Sequence, residues 1–413
     1  MPTDQTFVIA GAGLAGAKAA ETLREEGFDG RIVLLGAEPE RPYERPPLSK
    51  DYLRGEAERA SAYVHEEGYY AEHDIELRAG ERVTGVDPGR SELALDGGER
   101  LAYDRLLLAT GAEPRRLSIP GAELEGVLRL RTFADSDAIR ARFDSGGRLV
   151  VIGAGWIGSE VAASARQRGM DVTVIAPEAV PLERVLGPEV GAVYLDVHRE
   201  HGVDMRMEAG VASFEGDGRV ERVRTADGAT IDCDAVVLGV GVAPRTELAE
   251  AAGLALDNGV LVDERLETSV PGIFAAGDIA NHLHPNFGRL RVEHWDNALH
   301  QGPAAARAML GAGEPYARIP YFYSDQYDVG MEYAGYAPSW DRVVFRGDPA
   351  SREFIAFWLA DGRVLAGMNV NVWDVTDAIQ ALIASGGQVD VARLADPDVA
   401  LGDLLDGVGG TAP

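Results

Sequence analysis

Two glycine-rich segments carry the residues best suited to chemistry. They are Gly11-Ala12-Gly13-Leu14-Ala15-Gly16 and Gly153-Ala154-Gly155-Trp156-Ile157-Gly158. In this spacing the first glycine permits a tight turn. The second lets backbone approach a pyrophosphate, and the third lets helix and strand pack closely. Free N–H groups at the following helix start then receive phosphate charge. An acid about 20 residues past the last glycine would hold a ribose. Glu38 stands there after the first segment and Glu178 after the second. The remaining reactive types are scarce. Cys233 is the one cysteine, and Lys18 and Lys50 are the only lysines in a chain that otherwise uses arginine. The two cations differ in hydration and pKa tunability, so Lys50 stands out as a candidate for chemistry; Lys18 reads as a surface residue of the first helix.

Each glycine segment sits in the setting it needs. Residues 6–10 read as a buried strand, 17–26 as helix and 31–35 as the next strand. Residues 148–152 and 172–175 repeat the plan. Strand-like runs over 105–111, ending in Ala109-Thr110-Gly111, and over 235–241, ending at Gly241, close the two units. Pro114 and Pro120 mark the crossover between them. A further strand leads into Gly277 and Asp278. After Pro320, alternating apolar residues and aromatics predict an antiparallel sheet. The fold class is therefore α/β, with two Rossmann-like dinucleotide-binding domains and a C-terminal α+β domain.

Bulk composition narrows the partners. A 413-residue chain with 46% apolar and 26% charged residues is ordinary globular material with room for two or three domains. Its net charge of −28, from 67 acidic and 39 basic residues, repels nucleic acid and anionic lipid. No apolar run approaches the roughly 20 residues of a membrane helix. A lone cysteine that cannot form an internal disulfide fits a reducing, cytoplasmic setting.

Specific segments resemble the FAD-dependent ferredoxin reductases of the putidaredoxin reductase type, which serve cytochromes P450 and ring-hydroxylating dioxygenases. They are Arg45-Pro-Pro-Leu-Ser-Lys50, Ala109-Thr-Gly111, Gly153-Ala-Gly-Trp-Ile-Gly-Ser-Glu160, Ile273-Phe-Ala-Ala-Gly-Asp278, Val292-Glu-His-Trp295 and Tyr321-Phe-Tyr-Ser-Asp-Gln-Tyr327. The resemblance spans nearly the whole chain and implies a glutathione-reductase-like plan. Residues 1–113 and 245–319 would bind FAD and 114–244 would bind NAD(P)H. Residues 320–413 would cover the flavin and dock an iron–sulfur partner. By position, Gly11, Gly13, Leu14, Ala15 and Gly16 would cradle the FAD pyrophosphate, and Glu38 would hold the adenosine ribose. Arg45 and Pro46 would lie along the flavin, with Lys50 near its N5 edge. Val83, Ala109, Thr110, Gly111 and Arg131 would line FAD. Gly277 and Asp278 would meet its ribityl or pyrophosphate part, and Glu293, His294 and Trp295 would close the far end of the ring. Gly153, Gly155, Trp156, Ile157, Gly158 and Gly241 would receive the nicotinamide dinucleotide. Glu160 matches a carboxylate that pairs with the flavin-side lysine.

The implied chemistry gives Lys50 a clear task. A compact ammonium beside N5 suits stabilisation of a reduced flavin's charge, and Glu160 would fix it there and keep it protonated. Taken without the motif, Lys50 and Glu160 read as an ordinary surface ion pair or as residues that never meet. Trp295 reads equally as a core aromatic or as a catalytic ring stacked beside the isoalloxazine. His294 reads as structural. His282 and His284 have no cysteine or carboxylate nearby to complete a tetrahedral metal set, so no metal is expected. Cys233, on a predicted strand, is a packing residue. Thiol chemistry is thereby removed, and electrons must leave by another route, for which single transfers to a protein partner are the natural exit.

Two departures bear on function. The acid that commonly follows the second-unit strand is replaced by Ala176, leaving Glu178 to favour NADH; if Glu178 points away, Arg184 would favour the 2′-phosphate of NADPH. Tyr323 stands where the family usually has tryptophan. The expected function is an NAD(P)H:ferredoxin oxidoreductase that passes electrons to a small ferredoxin and on to a cytochrome P450 or oxygenase. The alternative is an NAD(P)H oxidase or quinone reductase with a diffusible acceptor. A non-enzymatic, nucleic-acid-associating flavoprotein would need a basic surface that this chain lacks. Docking an acidic ferredoxin would require a local arginine cluster, for which Arg289, Arg291, Arg307, Arg342 and Arg346 are candidates; scattered solvated arginines are the equal alternative. Monomer and homodimer both remain open.

Overall fold

The computed structural model describes residues 4–407. The first three and last six residues of the segments assigned above lie outside them. The chain divides into two compact units. One comprises Met1–Arg45, Glu58–Glu113 and Val242–Arg318; the other comprises Pro46–Ala57, Pro114–Gly241 and Ile319–Pro413. Residues 46–57, which the sequence keeps with the first segment, pack with the second unit. The 114–241 and C-terminal segments likewise belong to one unit.

The first unit is built on a parallel five-stranded sheet. Its spatial order is Ile273–Ala275, Arg105–Leu108, Thr6–Ala10, Arg31–Gly36, Ile75–Ala79. The four strands other than the edge strand Ile75–Ala79 are short, apolar and largely buried on both faces, as parallel sheets require. Phe7, Val8, Ile9, Val33, Leu34, Leu106 and Leu107 form the centre of the core. The helix Leu14–Glu25 begins three residues earlier than the sequence suggests, directly on Gly13. It packs against the helix Trp295–Met309. Contact is close there, since a Cβ on Gly302 would fall 2.2 Å from the Ala15 carbonyl oxygen. A small antiparallel sheet, Val83–Asp87, Glu92–Leu95 and Arg100–Ala102, extends this unit.

The second unit repeats the design with the strand order Asp204–Arg206, Asp171–Ile175, Arg148–Ile152, Ala235–Leu238, Val127–Arg129, again all parallel. The helix Trp156–Gln167 follows the glycine segment. The same unit carries a five-stranded antiparallel sheet in the order Tyr321–Gln326, Val329–Gly335, Arg363–Val370, Glu353–Ala360, Arg342–Asp348. Its apolar face, with Trp358, Phe354 and Met368, packs with Leu186, Val190 and Tyr194 of the helix Glu183–Glu200. The α/β class is therefore observed, with two parallel Rossmann-like sheets and an antiparallel C-terminal sheet. Among the described residues no helix is long and apolar enough to cross a membrane.

Candidate functional site

In the first unit the glycine segment has the geometry its spacing demands. Gly11 has φ +127°, and a Cβ there would sit 2.1 Å from the Ala109 carbonyl oxygen. Only glycine permits both that backbone conformation and that approach. A Cβ on Gly16 would fall 2.0 Å from the Gly11 carbonyl oxygen. Gly13 differs. It caps the helix in ordinary extended backbone with no side-chain hydrogen bond, the first turn holds no acid, and an added Cβ would meet no atom within 4 Å. A helix start with bare N–H groups and no local negative charge suits a phosphate.

Around this loop, Glu38 accepts from the Tyr43 hydroxyl at 2.5 Å and pairs with Arg45 at 2.9 Å. Burial alone would raise its carboxyl; Arg45 and the Tyr43 hydroxyl outweigh that and hold it below the usual range. It is thus an ionised acceptor fixed near the strand end, as ribose binding needs. Thr110 donates through its hydroxyl to the Arg245 carbonyl at 3.0 Å, and Gly111 has φ +70°. Val83 begins the small antiparallel sheet. Gly277 opens a 3-10 turn with Asp278 buried behind it, and its N–H donates to the Gln301 side chain at 2.9 Å. Glu293 pairs with Arg291 at 2.5 Å. His294 caps the helix that Trp295 opens, and burial lowers its pKa to about 4. A neutral imidazole there fits the structural reading.

In the second unit the motif recurs almost atom for atom. Gly153 has φ +97° and would clash through a Cβ with the Gly239 carbonyl at 2.4 Å, while a Cβ on Gly158 would fall 2.1 Å from the Gly153 carbonyl. Gly155 caps the next helix without a side-chain bond, with no acid in the first turn and no atom within 4 Å of an added Cβ. Trp156 is anchored edge-on against Phe322, ring centres 4.9 Å apart, and Ile157 is exposed. Gly241 has φ +88°, and Arg131 precedes the Thr132 cap of the helix Phe133–Ser145. Glu178 and Arg184, two alternatives in the sequence, meet: Arg184 Nε lies 2.8 Å from Glu178 Oε1.

The same unit brings Lys50 and Glu160 together. Pro46–Ser49 forms a 3-10 turn, Lys50 caps the short helix after it, and Lys50 Nζ lies 2.8 Å from Glu160 Oε1. The side chains are only 11% and 5% exposed, so this is a buried pair rather than a surface one. Ser49 Oγ donates to Glu160 Oε2 at 2.5 Å and Ser324 Oγ to Oε1 at 2.7 Å. The Tyr323 ring lies under the ammonium, 5.6 Å from Nζ to centroid. Asp325 is close enough to feel the pair: burial raises its carboxyl, Lys50 opposes that and Glu160 adds to it. A carboxylate with three donors is the arrangement that makes a buried charge tolerable. Ser49 and Ser324 are functional candidates that the sequence reading missed. The signal was present: alternation along Tyr321–Gln326 buries Phe322, Ser324 and Gln326 on one face, two of them polar.

Other expectations change. Cys233 follows the strand Thr230–Asp232 rather than lying on it. It is buried, and burial pushes its thiol up to about 12. The folded protein should therefore resist alkylation at about pH 8 for hours, and Cys233→Ala should keep its activity within about twofold of wild type; rapid labelling seen by mass spectrometry would contradict this. The arginines do not form a free patch. Arg289 donates to the Val262 and Asn281 carbonyls, Arg291 to that of Asp278, and Arg307 pairs with Glu26. In the other unit, buried Arg346 donates to the carbonyls of Leu394, Pro397 and Val399, pinning the C-terminal segment, and Arg342 is exposed at a strand start. Most are structural because a guanidinium satisfies several carbonyls at once. The His282 and His284 rings meet edge to face, 5.7 Å apart, and His284 Nε2 approaches the Arg318 carbonyl.

Two glycine-built helix starts and a buried lysine–carboxylate pair define a dinucleotide-dependent oxidoreductase without a redox thiol pair. Residues 5–302 match the model of the pyridine nucleotide-disulphide oxidoreductases and residues 321–405 that of the reductase C-terminal domain. The chain belongs to the pyridine nucleotide-disulphide oxidoreductase family. It is 41% identical to the 5,5'-dehydrodivanillate O-demethylase ferredoxin reductase subunit of Sphingobium sp. (strain NBRC 103272 / SYK-6), over 96% of this chain and 97% of that one. It is 38% identical to putidaredoxin reductase CamA of Pseudomonas putida, over 98% of each. The reductase in the crystal structure of the covalent putidaredoxin reductase–putidaredoxin complex superposes with a TM-score of 0.94 at 37% identity, covering 98% of this chain and 99% of that one.

Proposed function

We propose that this chain is an NAD(P)H:ferredoxin reductase that holds FAD on the first glycine loop and NADH on the second, and passes electrons singly to a small ferredoxin serving a cytochrome P450 or oxygenase. The observation that carries the reading is the twin motif, with Gly13 and Gly155 both capping helices without a side-chain cap hydrogen bond and without an acid in the first turn. Relatives named as ferredoxin reductase components of oxygenase systems support the acceptor. The lone unpaired cysteine supports a cytoplasmic setting.

When bound, FAD supplies the two-electron to one-electron conversion. The protein's part is binding, orientation and charge. Gly11, Gly13, Leu14, Ala15 and Gly16 hold the pyrophosphate, and Glu38 accepts from the adenosine ribose. Arg45, Pro46, Val83, Ala109, Thr110, Gly111, Arg131, Gly277, Asp278, Glu293, His294 and Trp295 line the remainder. Gly153, Gly155, Trp156, Ile157, Gly158 and Gly241 receive NADH. Lys50 would present a positive charge to the flavin's N5 edge, held in place by its ion pair with Glu160. The first test is anaerobic stopped-flow reduction by NADH, followed by ferredoxin. Bleaching by NADH with fast ferredoxin reduction is expected; bleaching with transfer only to quinone or dioxygen would replace the ferredoxin reading.

Coenzyme choice rests on Glu178 and Arg184. Paired with Arg184, Glu178 offers a carboxylate to a ribose 2′-hydroxyl and occupies the cation that a 2′-phosphate would use. NADH should therefore be preferred. Glu178→Ala should free Arg184 and shift the NADPH to NADH ratio of kcat/KM by about tenfold toward NADPH. An unchanged ratio would remove both residues from recognition.

A further inference from the structure

The lysine–carboxylate pair does not end at Glu160. On the far side of Ser324 lies a buried polar row drawn from two elements of the same unit. Gln326 Nε2 is 3.4 Å from Ser324 Oγ, His198 Nε2 is 3.0 Å from Gln326 Oε1, and the Tyr327 hydroxyl is 3.3 Å from His198 Nδ1. Glu160, His198, Ser324 and Gln326 are all buried, none more than 4% exposed. Tyr327 opens the hairpin turn between Tyr321–Gln326 and Val329–Gly335 with φ +57°, a strained conformation for a bulky side chain. Its ring is stacked on His201, centroids 3.7 Å apart and planes 10° from parallel. The turn thus holds an unfavourable backbone while placing that hydroxyl against His198.

The direction of every bond in this row is fixed by elimination. Burial lowers the His198 pKa to about 4, so the imidazole carries one proton near neutrality. Gln326 Oε1 can only accept, which puts that proton on Nε2. Nδ1 must then accept, and the Tyr327 hydroxyl donates to it. At the other end of the amide, Gln326 Nε2 can only donate, so Ser324 accepts there and turns its own proton to Glu160. Each donor points the same way, toward the carboxylate, and bonds aligned in this sense polarise one another.

We propose that Tyr327, His198, Gln326 and Ser324 form a one-way hydrogen-bond chain that fixes Glu160 and thereby positions the Lys50 ammonium. They are positioning residues, since they act through Glu160. The arrangement itself stands on this structure alone; its effect on the flavin rests on the ferredoxin-reductase reading.

Two measurements test it. The first needs no electron transfer. Nitrogen-15 NMR of histidine-labelled protein should show His198 as the Nε2–H tautomer, neutral from about pH 6 to pH 8. An Nδ1–H tautomer, or a charged ring in that range, overturns the chain. The second compares Ser324→Ala, Ser324→Thr and Gln326→Glu with wild type by flavin midpoint potential and by the rate of flavin bleaching with NADH. Ser324→Ala removes the donor to Glu160. Gln326→Glu has no N–H to give, so it draws the Ser324 proton away. Both should lower the potential and slow bleaching by about tenfold, the size expected for a lost hydrogen bond to a buried charge. Ser324→Thr keeps the hydroxyl and should restore both. Tyr327→Phe keeps the stacked ring, and should move both quantities the same way by roughly twofold. Potentials and rates equal to wild type in Ser324→Ala and Gln326→Glu overturn the proposal. Failure of the ferredoxin-reductase reading looks different, because wild type itself would then either not bleach with NADH or bleach and pass its electrons only to quinone or dioxygen.

Discussion

Lys50→Met is expected to retain FAD while slowing its reduction by NADH at least 100-fold, the usual loss when one preorganised charge or donor is removed from a reacting centre. The geometry explains the size. The ammonium is nearly buried, pairs at 2.8 Å with a carboxylate and lies over the Tyr323 ring, so solvent screens it less than a surface charge. Methionine fills a similar volume but leaves Glu160 buried with only its two serine donors. Breaking one side of a buried pair destabilises by about 3–5 kcal/mol, so the melting temperature should fall as well. Glu160→Gln separates the two effects. It keeps the volume and one acceptor oxygen for Lys50 and Ser324, turns the oxygen facing Ser49 into an N–H donor and removes the charge that holds the ammonium, so its stability loss should be smaller than that of Lys50→Met while reduction still slows. A Lys50→Met enzyme reduced at the wild-type rate would make the pair purely structural.

The second large effect comes from two matched glycines. Gly13→Ala should fold with near-normal stability and purify colourless, whereas Gly155→Ala should purify yellow and fail to be reduced by NADH at ordinary concentrations. Both positions have ordinary extended backbone and open space where a Cβ would go, so alanine should cost the fold only about 1 kcal/mol, the difference between glycine and alanine at a helix N-cap. The methyl group lies where backbone must approach a pyrophosphate. A steric conflict of about 3 kcal/mol would weaken each dinucleotide roughly 100-fold. Gly11→Ala and Gly153→Ala, which strike carbonyl oxygens at 2.1 and 2.4 Å, should instead impair folding. Flavin content by absorbance, NADH affinity by stopped-flow and circular dichroism distinguish the cases. If Gly13→Ala retains a full complement of FAD, the first loop is only a turn.

How far the site was legible in sequence follows from the range of the forces involved. Glycine spacing, strand-to-helix context and the acid after each second strand are local, so residues 11–16 and 153–158 could be read directly. The inward alternation of the C-terminal strands was equally visible. Helix and strand ends shifted by a few residues, because a glycine cap is decided by tertiary contact of its backbone. The arginines were not legible: their types allowed a docking patch and scattered solvated charges equally, yet Arg291 and Arg346 are spent on backbone carbonyls. Composition reports charge and cannot report which charges a fold consumes internally.

Some features were thus determined by the sequence itself. They are two nucleotide-binding turns, the parallel sheets that carry them and the absence of a second thiol, because each follows from residues adjacent in the chain or from a simple count. Tertiary structure alone decided that Lys50 and Glu160 form a buried pair, that Glu178 meets Arg184, and that Ser324, Gln326 and His198 align behind the carboxylate. Those contacts join residues from separate elements. Their strength depends on exclusion of water and on hydrogen-bond direction, and both exist only once the elements have packed.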